Sequence, residues 1–177
     1  MKFTTMKKTS ILIAAAFSAA ALLFTNEVKA QTTTASPLRL GIGLEAGIPS
    51  GSIASDFETG ITARLQYDLS PGFAVTFTSG YYDFLGKDVT TNYKSPDVGI
   101  VPVKVGVKSF FAQNVYVGAE IGAGFETISN GQAKLILAPA LGYANKTWDV
   151  GFRYENFSSS GRSYGVFALR LAYAFAL

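Results

Sequence analysis

The stretch that decides the fold closes the chain: "YGVFALRLAYAFAL", Tyr164–Leu177. Phe167, Leu169, Leu171, Tyr173, Phe175 and Leu177 occupy every second position, and between them stand small residues and one arginine, Arg170. Alternation of this length reads as one β-strand with two unlike faces, because successive side chains of a strand point to opposite sides. Alternation by itself does not say which face is wet.

Working back along the chain, seven further segments carry the same period. They are Leu38–Gly47, Thr59–Leu69, Phe73–Tyr82, Val98–Phe111, Val115–Phe125, Ala133–Tyr143 and Trp148–Phe157. In each, one register is apolar and the other holds glycine, alanine, threonine and isolated charges; none has a helical period. Tight connections ("SPG", "AQN", "ANKT") alternate with connections that are longer or richer in turn residues ("IPSGSIASDFE", "DFLGKDVTTNYKSPD", "ETISNGQ", "SSSGRS"). Pro71 and Gly72 suit the central positions of a type II turn. An even number of strands, short turns at one end and loops at the other, predicts an all-β, eight-stranded antiparallel up-and-down transmembrane β-barrel.

The N-terminal segment stands apart. Residues 1–30 have basic Lys2, Lys7 and Lys8, an apolar run from Ile11 to Phe24 and a small-residue exit at Ala30, the layout of a signal peptide. The apolar run is shorter than the ~20 residues of a spanning helix. Residues 31–37 read as a flexible polar leader and residues 38–177 as the barrel domain. The whole chain has 15 Lys+Arg against 12 Asp+Glu; without residues 1–30 the counts are 11 and 11. No basic excess is then left for a nucleic-acid partner.

Three features favour the apolar face as the lipid face. The charged face is rich in glycine (Gly41, Gly43, Gly106, Gly118, Gly122, Gly142, Gly151 and Gly165 among others), which a narrow lumen uses to admit a few long side chains. The segments, about 10 to 12 residues long, span a ~25 Å apolar band when tilted. Aromatic residues gather at both ends: Tyr67, Phe73, Phe111, Tyr143, Trp148 and Phe175 toward the tight turns, and Tyr81, Phe84, Phe125, Phe157 and Tyr164 toward the loops. Two such belts are expected at the two membrane interfaces.

The absence of both Cys and His excludes disulfides and thiolate metal sites, and removes the commonest metal ligand and general base. No catalytic, cofactor-binding or metal-ligating residue is assigned, and no cofactor is expected. Asp149 and Glu155, with basic neighbours on the same face, read as ion-pair partners. The predicted lumen charge network is Arg39, Glu45, Arg64, Lys104, Glu120, Arg153, Glu155 and Arg170. Glu45, Arg64, Lys104, Glu120, Arg153 and Arg170 fall near mid-strand, and Asp68, Lys108, Lys134, Asp149 and Glu155 nearer the ends. Charges in a narrow lumen must pair or keep water, and Arg170 finds its counter-ion in Glu45 or Glu120. Pro102 and Pro139, each lacking a ladder donor, predict a bulge or broken pairing inside their strands.

With its leader, its eight alternating strands and the ending "ALRLAYAFAL", the chain resembles the small outer-membrane β-barrels of Gram-negative bacteria, the OmpX/OmpA-transmembrane type and related outer-membrane β-barrel domain proteins. Those families usually end in an aromatic residue, whereas this chain ends in Leu177 with Phe175 and Tyr173 in the same register. The resemblance implies a non-enzymatic structural or surface-interaction role (adhesion or envelope contacts), in the cell outer membrane after signal-directed export. It also implies partners in outer-membrane lipid and lipopolysaccharide, the barrel-assembly machinery and periplasmic chaperones, and a monomer. The alternatives are a narrow channel or small-ligand-binding porin-like barrel, and a soluble secreted lipocalin-like lipid binder.

Overall fold

The computed structural model describes residues 37–51, 53, 55–90 and 93–177. The expected signal peptide, and all of the expected leader except Pro37, lie outside the described residues. The elements are β1 (Leu38–Ser50), β2 (Ser55–Ser70), β3 (Phe73–Gly86), β4 (Asp88–Thr90), β5 (Tyr93–Lys94), β6 (Val98–Phe110), β7 (Val115–Glu126), β8 (Ala133–Ala144), β9 (Trp148–Ser159) and β10 (Arg162–Ala176). Among the described residues there is no helix.

Eight strands form one closed barrel, in the order β1-β10-β9-β8-β7-β6-β3-β2. Every neighbouring pair is antiparallel, and β1 closes the ring on β10 with Leu44 opposite Leu171 and Glu45 opposite Arg170. Closure leaves no unpaired sheet edge, the condition for strands to cross an apolar medium. The eight alternating segments of the sequence are these eight strands. The β4-β5 hairpin lies in the β3-β6 loop and was not anticipated.

The two ends differ as expected, with one correction. The start of β1 and the end of β10 lie beside the short turns: Pro37 O accepts from Asp68 N at 2.8 Å, and Ala174 N donates to Thr147 O at 2.7 Å. At the opposite end, however, the β9-β10 connection is as tight as any. Arg162 pairs directly with Ser159, leaving Ser160 and Gly161 at φ 43° and 82°. "SSSGRS" thus reads as a loop by composition, but a left-handed pair turns the chain in two residues.

The prolines interrupt pairing without shifting register. Pro102 lies within a continuous β6-β7 ladder, but β3-β6 pairing is absent between Ser79↔Val103 and Tyr82↔Ile100. Pro139 likewise keeps its β7 partner Ala119, while β8-β9 pairing skips from Leu137↔Asn156 to Ala140↔Arg153. Neither site is a bulge: each proline turns its donor-less nitrogen to one neighbour only.

The apolar register faces outward. Ile61, Leu44, Leu171 and Val150 lie side by side on four successive strands, and Leu65, Phe77, Val105, Ile121 and Leu137 do the same on five. Leu44 is 65% exposed and Leu169 51%. Soluble monomers rarely expose a contiguous apolar patch above a few hundred Å²; a hydrocarbon solvent makes such a belt favourable.

Candidate functional site

The interior has two layers. The layer nearer the short turns is charged. Lys104 and Glu155 are fully buried, and Arg170 is 2% exposed. The Arg64 guanidinium lies 3.0 Å from Glu120 and 3.6 Å from Asp149, and Lys104 lies 3.3 Å from Glu120 while also contacting Glu155. Arg153 bridges Glu45 at 2.9 Å and Glu155 at 3.0 Å. Arg170 reaches Glu45 at 3.3 Å and Asp149 at 3.5 Å, and its Nε donates to Thr62 Oγ1. Lys108 pairs with Asp149.

Seven of the eight predicted residues therefore meet in one contiguous cluster: Glu45, Arg64, Lys104, Glu120, Arg153, Glu155 and Arg170. The eighth, Arg39, does not. It pairs with Asp68 at 2.8 Å at the short-turn rim, where both remain partly exposed. Position along the strand explains this: Arg39 is the second residue of β1, opposite Ala176, with five residues between it and Arg170's partner Glu45. In the other direction, Asp149, Lys108 and Glu155 belong to the cluster, although strand-end counting sets them apart. Neighbouring strands are staggered, and long side chains cross between levels. Arg170 is neutralised by Glu45 and Asp149, not by Glu120, which Arg64 and Lys104 occupy.

Several members carry no charge signal in the sequence. The Tyr82 hydroxyl accepts from Lys104 Nζ and from Arg153 Nη2, both at 2.9 Å, and the Tyr116 hydroxyl donates to Asp149 Oδ1 at 2.8 Å. Thr78 Oγ1 donates to Glu120 at 2.6 Å, and Thr62 Oγ1 to Glu45 at 2.6 Å. Strand parity places all four inward and would have found them. Glycines make the room. A Cβ on Gly142 would stand 2.5 Å from the Tyr116 ring, and one on Gly43 would stand 2.8 Å from Ala172 Cβ and 3.0 Å from the Arg170 guanidinium. Gly165 is an exception to the lumen reading, since its register faces outward, where the Tyr154 ring covers it.

The layer nearer the loops is apolar, which corrects the expected aromatic belt. Phe84 and Phe157 are not at the membrane interface; they are 3% and 0% exposed, with Ile100, Ile136, Val166 and Ala168 in one buried cluster. Tyr164 packs against that cluster, stacked on Phe157 with centroids 5.1 Å apart and rings 7° from parallel. Parity is the cause: Phe84 shares the face of Thr78 and Tyr82, Phe157 that of Arg153 and Glu155, and Tyr164 that of Arg170. Tyr81 and Phe125 do face outward at this end, as do Tyr67, Phe111, Tyr143, Trp148 and Phe175 at the other.

Glu58 lies where the two layers meet. It is fully buried, opposite Phe84 and Gly47, and neither carboxylate oxygen has a hydrogen-bond partner. It lies in β2, although the stretch "IPSGSIASDFE" that it ends has the composition of a loop. Among the described residues no group of three or more His, Cys, Asp or Glu is placed to hold a metal ion.

A closed ring of eight staggered strands, an apolar girdle and a charged, glycine-lined interior define the architecture. The fold is that of a small transmembrane β-barrel. The chain is similar in structure to Ail, the attachment invasion locus protein of Yersinia pestis, at TM-score 0.56 and 14% identity, covering 79% of this chain and 99% of Ail. A second structure of Ail, in complex with the heparin analogue sucrose octasulfate, matches at TM-score 0.56 and 15% identity, over 78% and 97% of the two chains. A de novo designed transmembrane β-barrel matches at TM-score 0.51 and 13% identity, over 81% of this chain and all of that one. No protein-family model matches the chain, and no curated protein matches its sequence.

Proposed function

We propose that this protein is a non-enzymatic outer-membrane barrel that does not conduct and that presents its loop end to the outside for surface interaction. The observation that carries the reading is the double closure of the lumen. Buried ion pairs fill one level, and a buried aromatic and aliphatic cluster caps the next. An ion entering from the loop end would meet the apolar cap first, then fixed charges already paired with one another. Both levels oppose permeation.

The apolar girdle and the outer-membrane barrels it resembles in shape support a location in lipid after export, with lipopolysaccharide, the assembly machinery and periplasmic chaperones as partners. Ail supports the interaction role by analogy of fold only. In the absence of His and Cys the interior lacks the commonest general base and thiol nucleophile, and the carboxylates of its charged cluster are paired with cations.

The test uses the full chain in planar bilayers and in cells. Purified protein should give no resolvable single-channel steps. The chain has no cysteine, so single-cysteine variants report sidedness: Arg162→Cys should react with a membrane-impermeant maleimide on intact cells, and Asn145→Cys only after permeabilisation. Steady ohmic openings, or labelling of Asn145→Cys but not Arg162→Cys on intact cells, would overturn the proposal.

A further inference from the structure

A cavity of about 1290 Å³ opens at the loop end directly above the apolar cap. That exceeds the ~300–1,000 Å³ of pockets for drug-sized ligands. Its accessible floor is the partly buried Tyr164 ring with Ile53 and Val98, lying over the fully buried Phe84, Phe157 and Ile100, and Tyr164 meets Phe84 edge-on at 6.0 Å. Its walls are of the opposite character, carrying Asn130, Gln132, Ser160, Arg162 and the Glu126–Lys134 pair, whose charged atoms are 2.9 Å apart.

The walls are built and held. Asn130 and Ser160 both adopt left-handed backbone, at φ 62° and 43°. Ser160 does so within the two-residue β9-β10 turn, and asparagine tolerates this backbone in a loop such as β7-β8. Ser159 Oγ donates to Gln132 Oε1 at 3.2 Å, tying the end of β9 to the β7-β8 loop, and Gln132 N donates to Glu126 Oε2 at 3.0 Å. Among the described residues the Asn130 amide, the Arg162 guanidinium and the Ser160 and Tyr164 hydroxyls have no hydrogen-bond partner, which leaves them free to bond a guest.

From this arrangement we infer that the mouth of the barrel is a binding site for a short saccharide. A sugar ring offers C–H faces to an apolar, aromatic floor and hydroxyl edges to amide, hydroxyl and charged walls. An acyl chain fits worse. The apolar part is a shallow floor sealed by fully buried side chains, and beneath it the Tyr82 hydroxyl and Lys104 begin the charged layer. A tail would find no slot to enter. The inference rests on the proposal that this end faces outside, and it adds the ligand class and the residues.

The test is saturation-transfer NMR and calorimetry on the full chain in nanodiscs. The probes are cellotriose, chitotriose, the core oligosaccharide released from lipopolysaccharide, and decanoate as the acyl rival. At least one saccharide should bind. Transfer to the core oligosaccharide alone assigns the source to the bacterial envelope, and transfer to the free trisaccharides assigns it to outside glycans. Asn130→Gly, which keeps the backbone, and Gln132→Ala should each weaken binding about tenfold, near 1.4 kcal/mol. Tyr164→Phe should retain more affinity than Tyr164→Leu, with heat-modifiable gel migration reporting that each barrel is folded. Absence of binding by every saccharide, affinity unchanged in folded Asn130→Gly and Gln132→Ala, or binding of decanoate alone would overturn the inference. A silent bilayer and outward labelling of Arg162→Cys would then still uphold the proposed function.

Discussion

Replacing Gly142 by alanine adds one carbon to the lumen, and the structure says where it would go. The new Cβ would stand 2.5 Å from Tyr116 Cζ and Oη and 2.7 Å from Cε1. Carbon atoms pack comfortably at about 3.5–4.0 Å, so the ring must move by roughly 1 Å. It has little freedom to do so. Its hydroxyl lies close to Gly151 on the next strand, the Lys108 ammonium sits 4.1 Å from its centroid, and the Phe110 ring is 5.6 Å away. Any shift also stretches the 2.8 Å bond to Asp149. Overpacking costs about 1–3 kcal/mol, and loss of a hydrogen bond to a charged group about 1.5–3 kcal/mol. Asp149 keeps Lys108, Arg64 and Arg170, so we expect a loss near 3 kcal/mol. The assay is reversible urea unfolding in phosphatidylcholine vesicles, followed by Trp148 fluorescence and gel mobility. The decisive arm is the double variant. In a Tyr116→Ala background the same Gly142→Ala change should fall within about 0.5 kcal/mol of neutral, giving a coupling of several kcal/mol. A neutral Gly142→Ala in the parent, or an equal cost in both backgrounds, would refute the idea that lumen glycines exist to admit these side chains.

Other consequences follow from the same geometry. Glu58→Leu removes two buried oxygens that have no hydrogen-bond partner and fills the same space beside Val166 and Ala168, so urea unfolding should show a gain of about 1–3 kcal/mol. Arg170→Met should cost less than the ~3–5 kcal/mol of an ordinary broken buried pair, because Glu45 keeps Arg153 and Asp149 keeps Lys108 and Arg64. Leu169→Arg places a charge on the girdle and should cost about 2–4 kcal/mol near the bilayer midplane by the same unfolding measurement. Phe157→Ala should destabilise the barrel by about 3–5 kcal/mol through the cavity it leaves in the cap.

The alternation of "YGVFALRLAYAFAL" and its seven counterparts made the barrel legible, because period-two patterning over strands of this length leaves few other solutions. Glycine on the charged face indicated which side was inside. Most of the charge cluster was legible for the same reason: parity alone places Glu45, Lys104 and Arg170 inward. Two things were not. Type and height along the strand point Tyr and Phe near strand ends to interfacial belts, while Phe84, Phe157 and Tyr164 obey parity and turn inward to make the cap. Glu58, Lys108 and Asp149 depend on where strands end and how neighbours are staggered, and a single sequence does not encode the stagger in any local pattern. Arg39 shows the converse: its parity is inward, but the rim offered Asp68 first.

The central claim is that the outward apolar face lies in hydrocarbon while the charges lie within. The chain has a single tryptophan, Trp148, on the outward face at the short-turn end, so lipids brominated at defined depths can read its position by fluorescence quenching. Trp148 should be quenched most by bromine near the headgroup, and a Leu169→Trp probe in a Trp148→Phe background most by bromine deep in the acyl chains. Absence of quenching at both positions, with the solvated emission of a water-exposed indole, would contradict the account.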